Sequence, residues 1–192
     1  MRHTSWISRW MGVAAAAALA LAPAGLASAG AAQSIGVPDF AARPSIPNIS
    51  GLFPGRFAAD NATTVLQRAT HPPLGVVSRK TMTQAQSALK WRDTDITKFA
   101  RLTALADRVG ATRLVIGTID RLSVERISNS VSRSAATVHI QVFTVAPAGI
   151  TQAVAGTGSG IAAVPRDAAE QALRQAVEQA LNAELPKIAL TH

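Results

Sequence analysis

The 192-residue chain contains no cysteine. No disulfide framework can staple the fold, no thiolate is there to hold a metal, and no acceptor thiol could carry a lipid behind an export signal. Carboxylates are scarce too, eleven against nineteen Lys and Arg, which leaves a formal charge of +8. No basic run is interleaved with aromatics in the way that single-strand nucleic-acid binders require, so nucleic acid is not an expected partner. No apolar run reaches the roughly 20 residues of a spanning helix, so no integral membrane span is expected. Beyond the first thirty residues the histidines are His71, His139 and the terminal His192. None has a partner at i+3 or i+4, so no metal-ligand spacing exists, and no serine stands in a Gly-x-Ser-x-Gly elbow.

The amino terminus is read as a leader. Arg2 and Arg9 form a basic head, Met11 to Leu21 an apolar run of alanine and leucine, and Ala27-Ser28-Ala29 a small-residue cleavage site. That is the pattern of a secretory signal peptide over residues 1–29, with cleavage after Ala29 or Ala31. The exported part keeps seventeen of the basic residues and all eleven acids, a formal +6. It is expected in the periplasm or at the cell exterior, where such a balance favours acidic proteins or an anionic wall or lipid surface.

Residues 30–51, with Pro38, Pro44 and Pro47, read as an extended tether. Ile35 to Phe40 could add a short strand there, and Pro38 would confine it to an edge. A helix is predicted over Gly55 to Arg68. Pro72 and Pro73 end it and launch a short buried strand over Leu74 to Ser78. A weaker helix covers Met82 to Trp91. The next is stronger: Ile96, Phe99, Leu102, Leu105 and Val109 recur at helical spacing, with Asp93, Thr94 and Asp95 at its start and Gly110 as its left-handed stop. Leu114 to Ile119 is nearly unbroken in apolar character, as in a strand covered on both faces.

Past that strand the pattern alternates. Leu122 and Val124 face a core, Ser128 to Ser130 turn the chain, and Thr137 to Val145 returns with Val138, Ile140 and Val142 on one face and His139, Gln141 and Phe143 on the other. Pro147 to Gly149 turns again, Ile150 to Thr157 begins a third strand, and the result is an antiparallel meander. A capping box of Asp167 and Glu170 opens a last helix, whose stripe is Ala169, Leu173, Val177, Ala180 and Leu181 bordered by Ala172 and Ala176, with Pro186 closing it. So much alanine lets a helix approach a sheet closely. The expectation is α/β on the α+β border: a single three-layer domain over 52–186 with a tail at 187–192. It has one mixed sheet with a meander flanked by helices, in the order (β)-α-β-α-α-β-β-β-α.

Several of these segments resemble CsgG-like proteins, the family of the curli-secretion channel. Val76-Val77-Ser78-Arg79 after a helix is similar to that family's "vv(D/S)R" step. Ala106-Asp107-Arg108-Val109-Gly110-Ala111 followed by Leu114-Val115-Ile116-Gly117 looks like its "A-x-x-x-G-A … (L/V)-V-x-G" segment. Ile35 to Phe40 resembles its opening strand. The resemblance implies an exported α/β domain working by association, related to secretion channels, wall-synthase activator lipoproteins and the amino-terminal domain of TolB. The chain departs from it in having no lipid-acceptor cysteine and no long paired insertions able to span a membrane as strands.

Gly158-Ser159-Gly160-Ile161-Ala162-Ala163 fits G-x-G-x-x-A formally, but Val164 and Pro165 separate it from the following helix, so it reads as glycines in a bulged or closely packed strand. Asp120 and Glu125, five apart, are expected on opposite faces of a solvated hairpin. No catalytic, cofactor-binding or metal residue is assigned. Trp91, Arg121, Arg126 and Arg133 are the candidates for an interaction surface, because Trp and Arg dominate binding hot spots. The function read from the sequence is a non-catalytic envelope protein acting by protein–protein association. The alternatives are an oligomeric subunit of an outer-membrane export apparatus and a small-ligand-binding domain or enzyme.

Overall fold

The structure is a computed structural model and describes residues 33–69 and 75–190. The leader with its cleavage site, His71, Pro72 to Leu74 and His192 lie outside them. The fold is α/β, one open mixed sheet of seven strands flanked by four helices.

The sheet is built on a hairpin. β4 (Arg113–Ser128) and β5 (Val131–Thr144) pair antiparallel along their lengths around a two-residue turn. β6 (Gly149–Ile150) and then β7 (Val154–Ala162) pair antiparallel with the far side of β5. On the other side of β4, β1 (Ser34–Gly36) and β2 (Ala41–Ala42) run parallel to it, and β3 (Gly75–Val76) runs parallel to β1. The expected meander is present. β5 starts six residues before the expected Thr137, because Ser132 and Ser134 are buried yet read as polar in the sequence.

The residues expected to tether the domain are instead part of it. β1 lies between β3 and β4 rather than at an edge, and Val37, Pro38 and Phe40 are buried between the two short parallel pairings. Pro38 falls in the break between β1 and β2, where its missing N–H interrupts no ladder. The strand expected to be buried after Pro73 is reduced, among the described residues, to the two residues of β3, with Gly75 exposed and Val76 half-buried.

Successive residues of β4 and β5 feed two separate cores. Val115, Ile119, Val138, Ile140 and Val142 pack with α1 (Pro54–Ala69) and α4 (Pro165–Leu190). Leu114, Ile116 and Phe143 point the other way, to α2 (Arg79–Ala88) and α3 (Phe99–Val109). A 3-10 turn at Asp93–Thr97 precedes α3 and takes up Ile96, the first residue of the predicted stripe. Gly110 ends α3 in the left-handed region, φ 68° and ψ 30°, as the spacing required.

α4 carries the predicted stripe, with Leu173, Val177 and Leu181 fully buried, each contributing about 1.5–3 kcal/mol relative to exposure. Its ends differ from expectation. The helix begins at Pro165, whose fixed φ suits a first helical position, so Asp167 lies inside the first turn rather than capping it. Glu170 pairs with Arg166 at 2.7 Å. At the other end, α4 continues through Pro186 to Leu190, so most of the expected tail is helix. Ile188 is buried in the core, and its carbonyl accepts from Arg113 Nη1 at 2.7 Å. These contacts hold the last turn after proline has removed one helical bond.

α4 sits unusually close to β7. A Cβ added at Gly156, Gly158 or Gly160 would lie 2.0, 2.0 or 2.1 Å from the carbonyl oxygen of Ala176, Ala172 or Ala168. Three glycines at strand spacing thus meet alanines at helical spacing, backbone against backbone. This contact accounts for the G-x-G-x-x-A pattern without a nucleotide.

Candidate docking face

Among the described residues, the helices leave part of the sheet bare. α1 and α4 cover one face, but α2, the 3-10 turn and α3 cover only the end of the other face where β4 begins. Beyond that end the uncovered face carries, besides Arg121 opposite Thr137 and His139 opposite Thr118, the side chains of Thr118 and Ser123 of β4, Ala135 and Thr137 of β5, and Ala155, Thr157 and Ser159 of β7, placed by the strand register; the last seven are short. None of these seven side chains is longer than threonine, and none is charged. Antiparallel sheets commonly turn one face to water, and such faces carry long charged side chains. Here charge runs along the β4 margin of the face, at Asp120, Arg121 and Glu125, and reaches β5 at Arg133, while β7 carries none.

That margin is defined by a bulge. The β4–β5 register slips between Ile119 and Arg121, leaving Asp120 as the extra residue. The slip reverses the parity of everything after it. Glu125 therefore shares the uncovered face with Asp120, against the expectation of opposite faces, although the two stand roughly 16 Å apart at a rise of about 3.3 Å per residue. Each serves a different cation. Asp120 Oδ1 accepts from Arg43 Nε at 2.9 Å, and Asp120 Oδ2 lies 2.6 Å from His139 Nδ1. Glu125 pairs with Arg133 at 2.8 Å.

The Asp120–His139 contact fixes which imidazole nitrogen faces the carboxylate, the orienting half of a general-base arrangement. Among the described residues no hydroxyl is hydrogen-bonded to that imidazole. Three clefts of about 410, 350 and 280 Å³ open elsewhere on the domain, none of them lined by His139. Among the described residues no group of three or more His, Cys, Asp or Glu side chains could hold a metal, and no helix is long and apolar enough to cross a membrane.

The sequence-selected candidates divide into two places. Arg121, Arg126 and Arg133 all lie on the β4–β5 hairpin and are exposed. By register Arg121, opposite Thr137, and Arg133, opposite Glu125, lie on the uncovered face, while Arg126, opposite the buried Ser132, lies toward the α1/α4 face. Among the described residues Arg121 and Arg126 make no ion pair. Two apolar side chains missed in the sequence join them, Ile127 (54% exposed) and Ile161 (62% exposed). Alternation could have flagged Ile161, whose neighbours Gly160 and Ala162 belong to the opposite parity.

Trp91 is not there. It packs, half-buried, on the second core beside α2. Its Nε1 lies 3.3 Å from Gln86, whose amide oxygen also accepts from the Asp39 N–H at 3.2 Å. The Arg101 guanidinium stands 6.0 Å from the ring centroid.

The same Arg101 donates to the buried Asp95 at 2.9 Å, joined by Lys98 at 3.1 Å and the Arg92 N–H at 3.1 Å. The Arg101 hydrogen bond, reinforced by the other two and opposed by burial, holds the Asp95 carboxyl down at about 2. A folded-state pKa below the unfolded value of about 3.9 stabilises the fold fully above that value and is lost as pH falls toward 2. Between pH 4 and 2 the denaturation midpoint of the parent should therefore fall more steeply than that of Asp95→Asn. Parallel midpoint curves would sink this assignment.

No family model and no curated protein matches the chain, so the CsgG-like resemblance rests on the short motifs quoted above. Solved structures resemble it loosely. The PelC dodecamer from Paraburkholderia phytofirmans is 10% identical over 79% of this chain and 87% of that one, with a TM-score of 0.46. Lipoprotein GNA1162 from Neisseria meningitidis is 11% identical over 82% and 98%, with a TM-score of 0.49. The LpoB C-terminal domain from Salmonella enterica is 16% identical over 66% and 82%, with a TM-score of 0.43. Likeness at this level transfers no residue role and no function.

Proposed function

We propose that this protein is an exported, non-catalytic binding domain that docks a protein partner on the uncovered half of its sheet. One observation carries the reading: short, uncharged side chains run across β5 and β7 at Ala135, Thr137, Ala155, Thr157 and Ser159, with Arg121 and Arg133 beside them and Ile127 and Ile161 toward the hairpin end. Depletion of charge at the centre with arginine around it is how protein interfaces differ from ordinary surface. Export is inferred from the leader, and the non-catalytic reading from the lack of any assembled nucleophile or metal set among the described residues.

The size of the face limits the partner. From Arg133 to His139 it is roughly 20 Å long, and three strands make it roughly 10 Å wide at about 4.8 Å spacing. That is small beside the ~800 Å² per partner of a standard interface. The hairpin end with Arg126 and Arg133 must therefore be part of the contact together with Arg121 on the face, and the partner surface there should be acidic.

The test is site-specific photo-crosslinking in the native envelope. A crosslinker at Ser159 or Ala135 should yield one discrete adduct, and one at Gln84, exposed on α2, should not. Adding Ala135→Arg should lower the adduct yield roughly tenfold or more, the equivalent of about 1.4 kcal/mol. An adduct of twice the chain's mass would favour the oligomeric export-apparatus reading. Equal labelling at Ser159 and Gln84, or none at Ser159 and Ala135, would remove the face as a docking site.

A further inference from the structure

β7 is a nine-residue strand at an edge of the sheet, with neither charge nor proline. Edge strands are usually protected by lysine, proline or a bulge, because their outward backbone groups otherwise pair with a strand from another chain. β7 has none of these. In an antiparallel pair, alternate residues turn both N–H and C=O away from the partner strand. In β7 the N–H groups of Thr157, Ser159 and Ile161 donate to side-chain amide oxygens of α4: Thr157 to Gln179 at 2.6 Å, Ser159 to Gln175 at 2.8 Å and Ile161 to Gln171 at 3.2 Å.

The spacing explains how this is possible. Gln171, Gln175 and Gln179 are four residues apart, so they line one flank of α4. The outward N–H groups are two residues apart along β7. The glycine–alanine contact brings the helix close enough for a glutamine to reach over the strand edge, and Gln175 Cβ itself would lie 3.0 Å from a Cβ at Gly158.

We propose that Gln171, Gln175 and Gln179 act as a substitute strand, closing β7 against strand addition by a second copy of this chain. A second copy is the fitting occupant because an uncharged Gly/Ser/Thr edge offers no side-chain pockets to select a foreign sequence. Antiparallel β7–β7 pairing about a two-fold axis is moreover self-complementary. The inference concerns the edge of the sheet and stands apart from the docking of its face.

The test is the triple variant Gln171→Ala, Gln175→Ala, Gln179→Ala of the exported protein. Alanine keeps each Cβ and favours helix. Sedimentation velocity at matched concentration should show a new species of twice the parent's mass. Amide exchange at Thr157, Ser159 and Ile161 should be at least roughly tenfold faster at concentrations too low for association. Glutamate at the three positions keeps an acceptor oxygen and should preserve both the parent mass and the slow exchange. Ser159→Pro in the alanine background removes an outward N–H and should abolish the new species. An unchanged mass and unchanged exchange in the alanine variant, or association that survives Ser159→Pro, would overturn the proposal. If the triple variant fails to fold, Gln175→Ala alone decides, read by exchange at Ser159: faster supports the shield and unchanged refutes it.

Discussion

Gly158→Ala is expected to lose about 3 kcal/mol of stability or more, although alanine is the better residue for a strand by about 0.5–1 kcal/mol. The reason is the atom that the new methyl would meet. A Cβ at Gly158 would lie 2.0 Å from the Ala172 carbonyl oxygen and 2.6 Å from the Ala176 nitrogen. Both are backbone atoms of a helix, and neither can rotate away as a side-chain end could. The 26-residue α4 must move outward instead. That movement loosens Leu173, Val177 and Leu181 over the sheet and draws the glutamines away from β7. With a urea slope of about 2 kcal/mol/M for a domain of this size, the midpoint should fall by roughly 1.5 M. Ser159→Ala, one residue along and facing outward, should change the midpoint by less than roughly 0.3 M at the same slope. Equal effects at the two positions would mean that α4 does not sit where the backbone contact places it.

That contact was the most legible part of the molecule. Alternating glycines in a strand and alanines at helical spacing are two complementary patterns, and each states the shape of its partner. The central strand was legible for a similar reason: Leu114 to Ile119 is apolar but for Thr118, and helices cover both of its faces from Leu114 to Ile116. Parity counting failed at Asp120. A bulge shifts the count by one and cannot be read from residue types, so Glu125 was assigned to the wrong face and the Asp120–His139–Arg43 contact went unseen. The glutamine ladder was invisible for a different reason. Gln171, Gln175 and Gln179 on a helix read as a solvated flank, and only the position of β7 gives their oxygens something to accept. The bare face escaped as well. A run of Ala, Ser and Thr looks the same whether a helix covers it or nothing does.

The amino-terminal segment was only half legible, as a tether that could add one edge strand, and Phe40 measures the rest. If residues 30–51 were a tether, Phe40→Ala would change nothing. In this fold Phe40 is 2% exposed and its N–H donates to the Gly55 carbonyl at 3.1 Å. Its removal should cost about 3–5 kcal/mol. Phe40 also explains why position 117 is glycine: a Cβ there would lie 2.3 Å from two atoms of the Phe40 ring. Gly117→Ala alone should therefore cost about 1–3 kcal/mol by overpacking. In the Phe40→Ala background the same methyl enters the vacated space, so its effect should shrink to near zero or become favourable. The pair should thus show a coupling of roughly 2 kcal/mol in a double-mutant cycle. Additivity of the two substitutions would mean that the ring does not lie on Gly117. A neutral Phe40→Ala would return the segment to a tether. Coupling of this sign requires residues 37–40 to be folded against β4, which is what lets β1 and β2 extend the sheet on the side away from β7.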